Sequence, residues 1–330
     1  MRAVEIAGFG GPEVLRLCSM PIPQAGPGEV LVRVHAAGVN RPDVLQRMGK
    51  YQPPPGASLL PGLELAGEVA GGDVTAFSPA GPLQIGTRVC ALVAGGAYAE
   101  YCVVPAALCM PLPPGWDMLQ AAGLPETCMT VWSNLVQRAG LRAGQRVLVH
   151  GGSSGIGVTA IQIARALGCE VLVTAGSEEK CRACLALGAQ HAINYRQQNF
   201  AQAVQEITGG QGVHVVLDMV AGDYLDANLR ILADDGCLVI IALQGGSRAT
   251  LDMGQILRRR LHVTGSTLRP RDLAFKAQLA QEVTQSVWPM MADGRFIPVI
   301  HQVFDLEQAG AAHAMMESNA HIGKLLLRVV

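Results

Sequence analysis

Residues 147–157 read VLVHGGSSGIG. The stretch joins an apolar strand to a helical segment carrying Val158, Ile161 and Ala164, through a turn of small residues. Glycines let such a turn approach a pyrophosphate closely, and the N-terminus of the next helix offers free amides and a positive dipole end. The stretch therefore predicts the phosphate-binding turn of a dinucleotide fold. The expected contacts are Gly152, Ser153, Ser154, Gly155, Ile156 and Gly157.

The glycine spacing, Gly152-x-x-Gly155-x-Gly157, differs from the usual G-x-G-x-x-G, so a glycine-rich turn without a ligand is the alternative. The context favours the cofactor, because six apolar strands alternate with segments of helix length. Such alternation predicts a doubly wound parallel sheet covered on both faces, an α/β Rossmann fold. The expected strands are 146–150, 170–175, 191–194, 214–219, 237–243 and 262–265.

The first part of the chain, residues 1–115, is predicted to be rich in β-strands. Val30, Val32 and Val34 alternate with other residues, as in a half-buried strand. Glycine and proline interrupt the region often, for example at 53–56, and short strands between turns predict a barrel or sandwich.

Helices and a final strand are predicted around the Rossmann segment. Asp117 can cap one helix, and Pro125 is expected to open another that runs to about Arg138. Residues 305–308 resemble a capping box for a helix to about 317, and a strand at 325–329 is expected to return to the first domain. The predicted domains are 1–120 with 298–330, and 121–297.

Composition excludes several classes of function. Lys plus Arg is 25 and Asp plus Glu is 26, which argues against a nucleic-acid binder. The longest apolar run, 237–243, is too short to span a bilayer, and residues 1–10 do not resemble a signal peptide. Nine cysteines without regular spacing favour free thiols in a reducing compartment. We expect a cytoplasmic protein with neither a nucleic-acid nor a membrane partner.

The residues after the second Rossmann strand predict which cofactor binds. An NAD site usually ends this strand with an acid that holds the ribose 2′-hydroxyl, whereas here Gly176 and Ser177 follow it. Lys180 and Tyr195 are within expected reach of a 2′-phosphate, which favours NADPH. The acids at 178–179 oppose this interpretation, and the alternative is that Lys180 is only a solvated helix charge.

At these residues the chain resembles the zinc-free quinone oxidoreductase branch of the medium-chain dehydrogenase/reductase superfamily, and within it the p53-inducible type. The likeness covers essentially the whole chain and depends on the order of short motifs. They are 10–13, 26–31, 40–43, 51–57, 125–126, 174–177, 193–195 and 322–324. The resemblance implies a GroES-like first domain, a Rossmann second domain and NADPH in the cleft between them. We also expect a homodimer or homotetramer.

The resemblance also bears on zinc. Zinc alcohol dehydrogenases of this superfamily carry Cys where this chain has Asn40 and His where it has Leu63, and the four clustered cysteines of their structural zinc lobe are missing. We therefore expect no metal. The pair Cys181-x-x-Cys184 has no second pair, so we interpret it as a buried helix face rather than a redox or metal site.

By the same likeness, Asn40, Asp43 and Tyr51 line the cleft near the nicotinamide, and Thr130 lies beside it. Asn and Tyr can donate hydrogen bonds to a quinone oxygen as negative charge develops there. The alternatives are a turn Asn, a helix-capping Asp, a Tyr anchoring its loop and an ordinary helical Thr. Further expected cofactor contacts are Leu243, Gln244, Gly245, Thr267, Leu268, Arg269, Asn319 and Lys324. His150 is interpreted as structural.

The sequence leaves three functions open. The first is NADPH-dependent reduction of small quinones, and the second is reduction of an activated C=C bond in an enone or acyl thioester. The third is an NADPH-binding, crystallin-like protein with little turnover. The near-neutral charge and the presence of Asn40 and Tyr51 argue against the third.

Overall fold

The computed structural model describes residues 1–79 and 81–330. The chain divides into two compact units. The first comprises Met1–Met129, Leu268–Trp288 and Pro298–Val330, and the second comprises Thr130–Thr267 and Pro289–Ile297. The domain limits expected from the sequence, 1–120 with 298–330 and 121–297, stay a prediction.

The strands and α-helices of the described residues have the following bounds. The strands are β1 Arg2–Ile6, β2 Leu15–Ser19, β3 Glu29–Val39, β4 Glu64–Gly72, β5 Arg88–Leu92, β6 Tyr101–Pro105, β7 Cys109–Pro111, β8 Arg146–Val149, β9 Glu170–Ala175, β10 His191–Asn194, β11 Val213–Asp218, β12 Leu232–Ile240, β13 His262–Gly265, β14 Ile300–Asp305 and β15 Lys324–Arg328. The α-helices are α1 Arg41–Arg47, α2 Met118–Ala121, α3 Pro125–Val131, α4 Gly155–Ala166, α5 Glu178–Ala186, α6 Phe200–Ile207, α7 Tyr224–Ile231, α8 Met253–Arg259, α9 Leu273–Ala292 and α10 Ala309–Ser318.

The second unit is built on a six-stranded sheet in the order β10-β9-β8-β11-β12-β13. All five neighbouring pairs are parallel, so the predicted doubly wound sheet is confirmed. The fifth strand differs from the prediction, since β12 begins at Leu232 and ends at Ile240. Its first part carries the exposed polar residues Asp234 and Asp235, which concealed it from a search for apolar runs.

The first unit is built on a seven-stranded sheet. Its strands follow the path β14-β15-β3-β4-β5-β7, and β6 pairs with β3. β15 runs antiparallel to β3, so the predicted return of the C-terminal strand to the first domain is confirmed. Val30, Val32 and Val34 are fully buried in its core, as their alternation predicted.

The helix signals also hold. Asp117 caps α2 by accepting from the amide of Leu119, and α3 begins at Pro125 and continues as a π-helix over Trp132–Arg138. Asp305 forms the predicted capping box with Gln308 ahead of α10. Within the described chain, no helix combines the length and the apolar character that crossing a membrane requires.

Candidate active site

The glycine turn lies between β8 and α4, in the second unit. Ser154 is the N-cap of α4, and its hydroxyl accepts from the amide of Gly157 at 3.0 Å. A Cβ on Gly157 would lie 2.4 Å from the carbonyl oxygens of Gly151 and Gly152, so only glycine fits there. Gly151 has φ +68°, which also favours glycine. This cradle suits a pyrophosphate, because the first amides of a helix have no acceptor within it.

Gly176, Ser177 and Tyr195 lie together beyond the ends of β9 and β10. The Tyr195 hydroxyl is 2.7 Å from the position that a Cβ on Gly176 would take, so a side chain at 176 would displace it. Ser177 caps α5 by accepting from the amide of Lys180 at 3.2 Å. The pKa of Lys180 is lowered, first by burial and then by the charge of Arg196.

Arg196 is a cation that the sequence interpretation missed. It lies close enough to Lys180 to lower the pKa of that residue, and it directly follows Tyr195 in the chain. Glu178, which seemed to oppose a phosphate, instead accepts a hydrogen bond from Nδ2 of Asn194 at 2.8 Å. The signal was available in the sequence, because Arg196 directly follows Tyr195.

The expected nicotinamide contacts Leu243, Gln244 and Gly245 follow β12 and are exposed. The amides of Gln244 and Gly245 donate to the carbonyl oxygens of Met219 and Val220, at 3.3 and 2.7 Å. These two amides are therefore already engaged within the second unit. Thr267 ends the main segment of that unit and is exposed, whereas Leu268 and Arg269 belong to the first unit.

A buried ion pair lies beside Asn40 in the first unit. The Nζ atom of Lys324 donates to Oε1 of Glu64 and to Oδ1 of Asn40, both at 2.6 Å, and to the carbonyl oxygen of Val39 at 3.3 Å. Nδ2 of Asn40 donates to the same Glu64 oxygen at 2.9 Å. Lys324 and Glu64 are 5% and 0% exposed. Lys324 thus orients the Asn40 amide through contacts within the first unit.

Asp43 takes part in capping α1. Its carboxylate accepts from the amides of Asn40 at 2.8 Å and Gly62 at 3.0 Å, so the capping alternative describes its observed contacts. Tyr98 connects Asp43 to His313 through hydrogen bonds of 3.4 and 3.2 Å. Burial raises the pKa of Asp43 to about 7 and lowers that of His313 to about 3.

Tyr51 and Arg269 lie together in the first unit. The guanidinium carbon of Arg269 is 5.2 Å from the centroid of the Tyr51 ring. Burial is the main cause that raises the pKa of Tyr51. Glu126 raises it further, and Arg269 opposes the rise. The structure therefore gathers Asn40, Asp43 and Tyr51 in one unit, together with Arg269, which was expected at the cofactor.

Two carboxyl groups of this unit, buried Glu64 and half-buried Glu126, were not predicted to have roles. Glu64 accepts from the amide of Glu126 at 2.9 Å, which joins the start of α3 to β4. The pKa of Glu126 is raised to about 7, mainly by burial and next by Glu64. The sequence did hold a signal for Glu64, because this charged residue begins an apolar stretch directly after Leu63.

The remaining predicted residues have local partners. Thr130 is half-buried at the end of α3, and its carbonyl oxygen accepts from Nδ2 of Asn134 at 2.9 Å. Asn319 ends α10 in the left-handed conformation, with φ +54°, and accepts from Arg41. His150 is fully buried and bonded to Thr174 at 3.0 Å and Asn228 at 2.8 Å, which confirms its structural interpretation.

The structure bears on the cysteine pair and on metal binding. Cys181 and Cys184 lie on α5 and are 5% and 0% exposed, so the predicted buried helix face is confirmed. Burial raises the pKa of both thiols. In residues 1–79 and 81–330, no group of three or more His, Cys, Asp or Glu side chains could hold a metal ion. Activity without zinc stays a prediction.

Comparison with known proteins adds an independent line of evidence. The Alcohol dehydrogenase GroES-like domain family matches residues 26–114, and the Zinc-binding dehydrogenase family matches residues 155–285. The chain is 33% identical over 335 residues to a quinone oxidoreductase of Pongo abelii, covering 99% of this chain and 97% of that protein. It is 35% identical over 335 residues to a spectinabilin polyketide synthase system protein of Streptomyces orinoci, covering 98% of this chain and 14% of that protein.

A solved structure agrees along the whole chain. The quinone oxidoreductase of Escherichia coli, complexed with NADPH, has a TM-score of 0.88 and 29% identity, with 100% of both chains covered. The two family matches fall on the two folds that the sequence predicted, GroES-like and Rossmann. Full-length similarity to quinone oxidoreductases joins these folds in the same order. The chain therefore belongs to the quinone oxidoreductase branch of the medium-chain dehydrogenase/reductase superfamily.

Proposed function

We propose that this protein transfers hydride from NADPH to small quinones without zinc. The observation that carries the proposal is the set of residues that follow β9 and β10, where Gly176 meets Tyr195, Lys180 and Arg196 supply positive charge, and Glu178 is held by Asn194. A 2′-phosphate would meet positive charge there, although exposed Glu179 still acts on Lys180. Similarity to the NADPH complex of the Escherichia coli enzyme supports the same cofactor.

The cradle at the glycine turn fits this cofactor. A side chain at Gly157 would collide with the carbonyl oxygens of the turn, so the backbone stays open to a pyrophosphate. The bound nicotinamide supplies the hydride. The protein's own residues supply binding, orientation and hydrogen bonds to the acceptor.

In this proposal, Asn40 and Tyr51 border the acceptor. Lys324 and Glu64 hold the Asn40 amide in one orientation, which reduces its motion before an acceptor binds. A quinone delocalises the charge that it gains, so it needs less stabilisation than an alcohol or ketone does. Hydrogen-bond donors can therefore serve where zinc enzymes use a Lewis acid.

The test compares cofactors and acceptors. NADPH and NADH oxidation would be followed with ortho-quinones, para-quinones and enones. Lys180→Ala and Arg196→Ala should each weaken NADPH binding about tenfold or more, because a lost charge-assisted contact costs about 1.5–3 kcal/mol. Binding of NADH should be unchanged. Arg182→Ala, an exposed position on the same helix, is the matched control. Equal affinity of the wild-type protein for both cofactors would contradict the proposal.

A second candidate is reduction of an activated C=C bond in an enone or acyl thioester. Similarity to a segment of a polyketide synthase system protein favours it. Both reactions would use the same cofactor site. A higher kcat/KM for enoyl thioesters than for every quinone tested would select this candidate.

We further propose a homodimer. The edge strand β13 pairs only with β12 among the described strands, and Val263 on it is 39% exposed. Leu257 on α8 is 81% exposed. A second copy could extend the sheet at this edge. Light scattering after size exclusion tests this, and a monomer would contradict it. The cytoplasmic location stays a prediction.

A further inference from the structure

Arg269 is a buried cation with one unused donor. It is 7% exposed, and its Nε and Nη2 atoms donate to the carbonyl oxygen of Ala94 at 2.9 and 2.6 Å. Nη2 also donates to Oε1 of Gln46 at 2.8 Å. Nη1 is buried and has no hydrogen-bond partner in the described part of the chain. The guanidinium is therefore anchored through two nitrogens, while the third is left for another acceptor.

This anchoring is specific. The amide nitrogen of Gln46 donates to the carbonyl oxygen of Leu59 at 3.1 Å, which turns Oε1 of Gln46 toward Arg269. Nε and Nη2 of Arg269 both donate to the backbone carbonyl oxygen of Ala94, so a change of side chain at position 94 does not remove this acceptor. The side chain thus holds its position without any contribution from Nη1.

The unused donor differs from a histidine nitrogen without a partner. Nδ1 of His313 is also buried and without a partner among the described residues. Burial lowers the pKa of His313 to about 3, so its ring is neutral and Nδ1 can carry a lone pair. Nη1 of Arg269 always carries protons. A buried charged donor without an acceptor is destabilising, and such an exception calls for a functional explanation.

The surroundings indicate what the acceptor is. The guanidinium lies over the ring of Tyr51, the residue predicted beside the substrate. Both hydrogen-bond partners of Arg269, Ala94 and Gln46, are uncharged, so no ion pair within the network cancels its charge. Glu126 is a carboxyl neighbour that acts on both Tyr51 and Arg269. An oxygen carrying negative charge next to a flat conjugated system suits this combination.

We propose that Nη1 of Arg269 donates the hydrogen bond to the acceptor's carbonyl oxygen, the oxygen that becomes negative on hydride transfer. The inference rests on the proposed function and names its substrate class. That class is flat conjugated carbonyl compounds whose reduction places an electron pair on oxygen.

The step balances without any chemical change at Arg269. A hydride adds to the conjugated system, a π bond breaks, and its electron pair moves to the carbonyl oxygen. Arg269 keeps its proton and donates only a hydrogen bond, and solvent then supplies the proton that neutralises the oxyanion. Because a guanidinium attracts an oxygen with a negative charge more strongly than a neutral carbonyl oxygen, the contact strengthens as charge develops.

A stable oxyanion tests the inference without turnover. 4-Nitrophenol, whose absorbance reports its ionisation, would be titrated into the wild-type protein in the presence of NADP⁺. Its apparent pKa should fall by about 1–2 units on binding, because a nearby opposite charge favours the ionised form. The uncharged 4-nitroanisole should bind at least about tenfold more weakly than the anion, the equivalent of one pKa unit. An unchanged pKa, equal affinities or no saturable binding would overturn the inference.

Variants then locate the donor. Arg269→Gln should abolish the fall in pKa and lower kcat/KM for quinones roughly 10- to 1000-fold. Arg271→Gln, an exposed arginine over the ring of Phe275, is the matched control. Arg269→Lys keeps the positive charge but has one nitrogen in place of three. It should therefore retain only part of the fall in the nitrophenol pKa. Full nitrophenolate stabilisation in either folded Arg269 variant would overturn the inference.

The two proposals fail in different ways. A wild-type protein that oxidises NADPH with no quinone or enone would contradict the proposed function, while the nitrophenol titration still measures the oxyanion site. Normal quinone turnover in a folded Arg269→Gln protein would contradict only the role of Arg269. Should neither Arg269 variant fold, an unchanged nitrophenol pKa or equal affinities for nitrophenolate and nitroanisole in the wild-type protein would still overturn the inference.

Discussion

Replacing Lys324 by methionine tests the buried ion pair that holds Asn40. The ammonium group serves three oxygen acceptors, and its partner Glu64 is 0% exposed. Methionine keeps most of the length and the apolar stem, but it leaves the buried Glu64 carboxylate with the donors of Asn40 and Glu126 as its remaining partners among the described residues. Removing one member of a buried pair typically costs about 3–5 kcal/mol, and we expect a loss of that size.

The double variant separates the pair from the packing. Glu64→Gln alone should also destabilise the protein, because it leaves the ammonium of Lys324 uncompensated. In Lys324→Met with Glu64→Gln, neither charge remains, so the loss should be smaller than the sum of the single losses by about 1–3 kcal/mol. Lys50→Met, at an exposed position, is the matched control and should change stability by less than about 0.5 kcal/mol.

Hydrogen exchange of the β3 and β15 amides measures the effect where it arises. Leu325 pairs with Val39 between these strands, so their opening free energy reports the sheet that carries Lys324. A loss below about 1 kcal/mol in Lys324→Met would refute the reasoning, since breaking a buried pair removes about 3 kcal/mol or more. Strictly additive single and double variants would refute it as well.

Three further predictions concern pH, the glycine turn and metal. Burial is the main cause that raises the pKa of Glu126 to about 7. The folded protein therefore holds this proton more tightly than the unfolded chain does. The resulting stability is fully present below the unfolded pKa and should be lost as pH rises through 7. Between about pH 4 and 8 the free energy of unfolding of the wild-type protein should fall by at most about 3 kcal/mol from this group, and Glu126→Gln should remove that fall. Denaturation at each pH measures it. Gly157→Ala should lose about 1–3 kcal/mol and most NADPH affinity by calorimetry, whereas Gly71→Ala, which has open space, should not. Elemental analysis should find less than stoichiometric zinc, and activity that disappears with a chelated metal would show the opposite.

The Rossmann half of the fold could be predicted because its signals are local. Strands β8 to β11 are short apolar runs bounded by turns, and each lies within one residue of its predicted ends. The exception is β12, whose first residues include Asp234 and Asp235. Sequence periodicity reports burial, and a polar extension of a strand at the surface gives no such signal.

The network around Asn40 could not be predicted, because its members are distant in sequence. Lys324 contacts Asn40 across 284 residues and Glu64 across 260. No spacing rule relates such positions, and the pairing of both β15 and β4 with β3 brings them together. Arg196 is a different kind of omission, since it directly follows Tyr195 and a charge count near the third strand would have found it.

Lys324 and Arg269, two cations of the first unit, differ in how their charges are compensated. The Lys324 charge is compensated by Glu64 at 2.6 Å, so the pair contributes order to Asn40 and little net field. The hydrogen-bond partners of Arg269 are neutral, and its Nη1 atom has no acceptor among the described residues. In our proposal, a developing oxyanion would meet a fixed dipole from Asn40 and a charge on Arg269 that neither hydrogen-bond partner neutralises. Such a site would stabilise the neutral carbonyl weakly and the oxyanion strongly. It would therefore lower the barrier to hydride transfer more than it would tighten substrate binding.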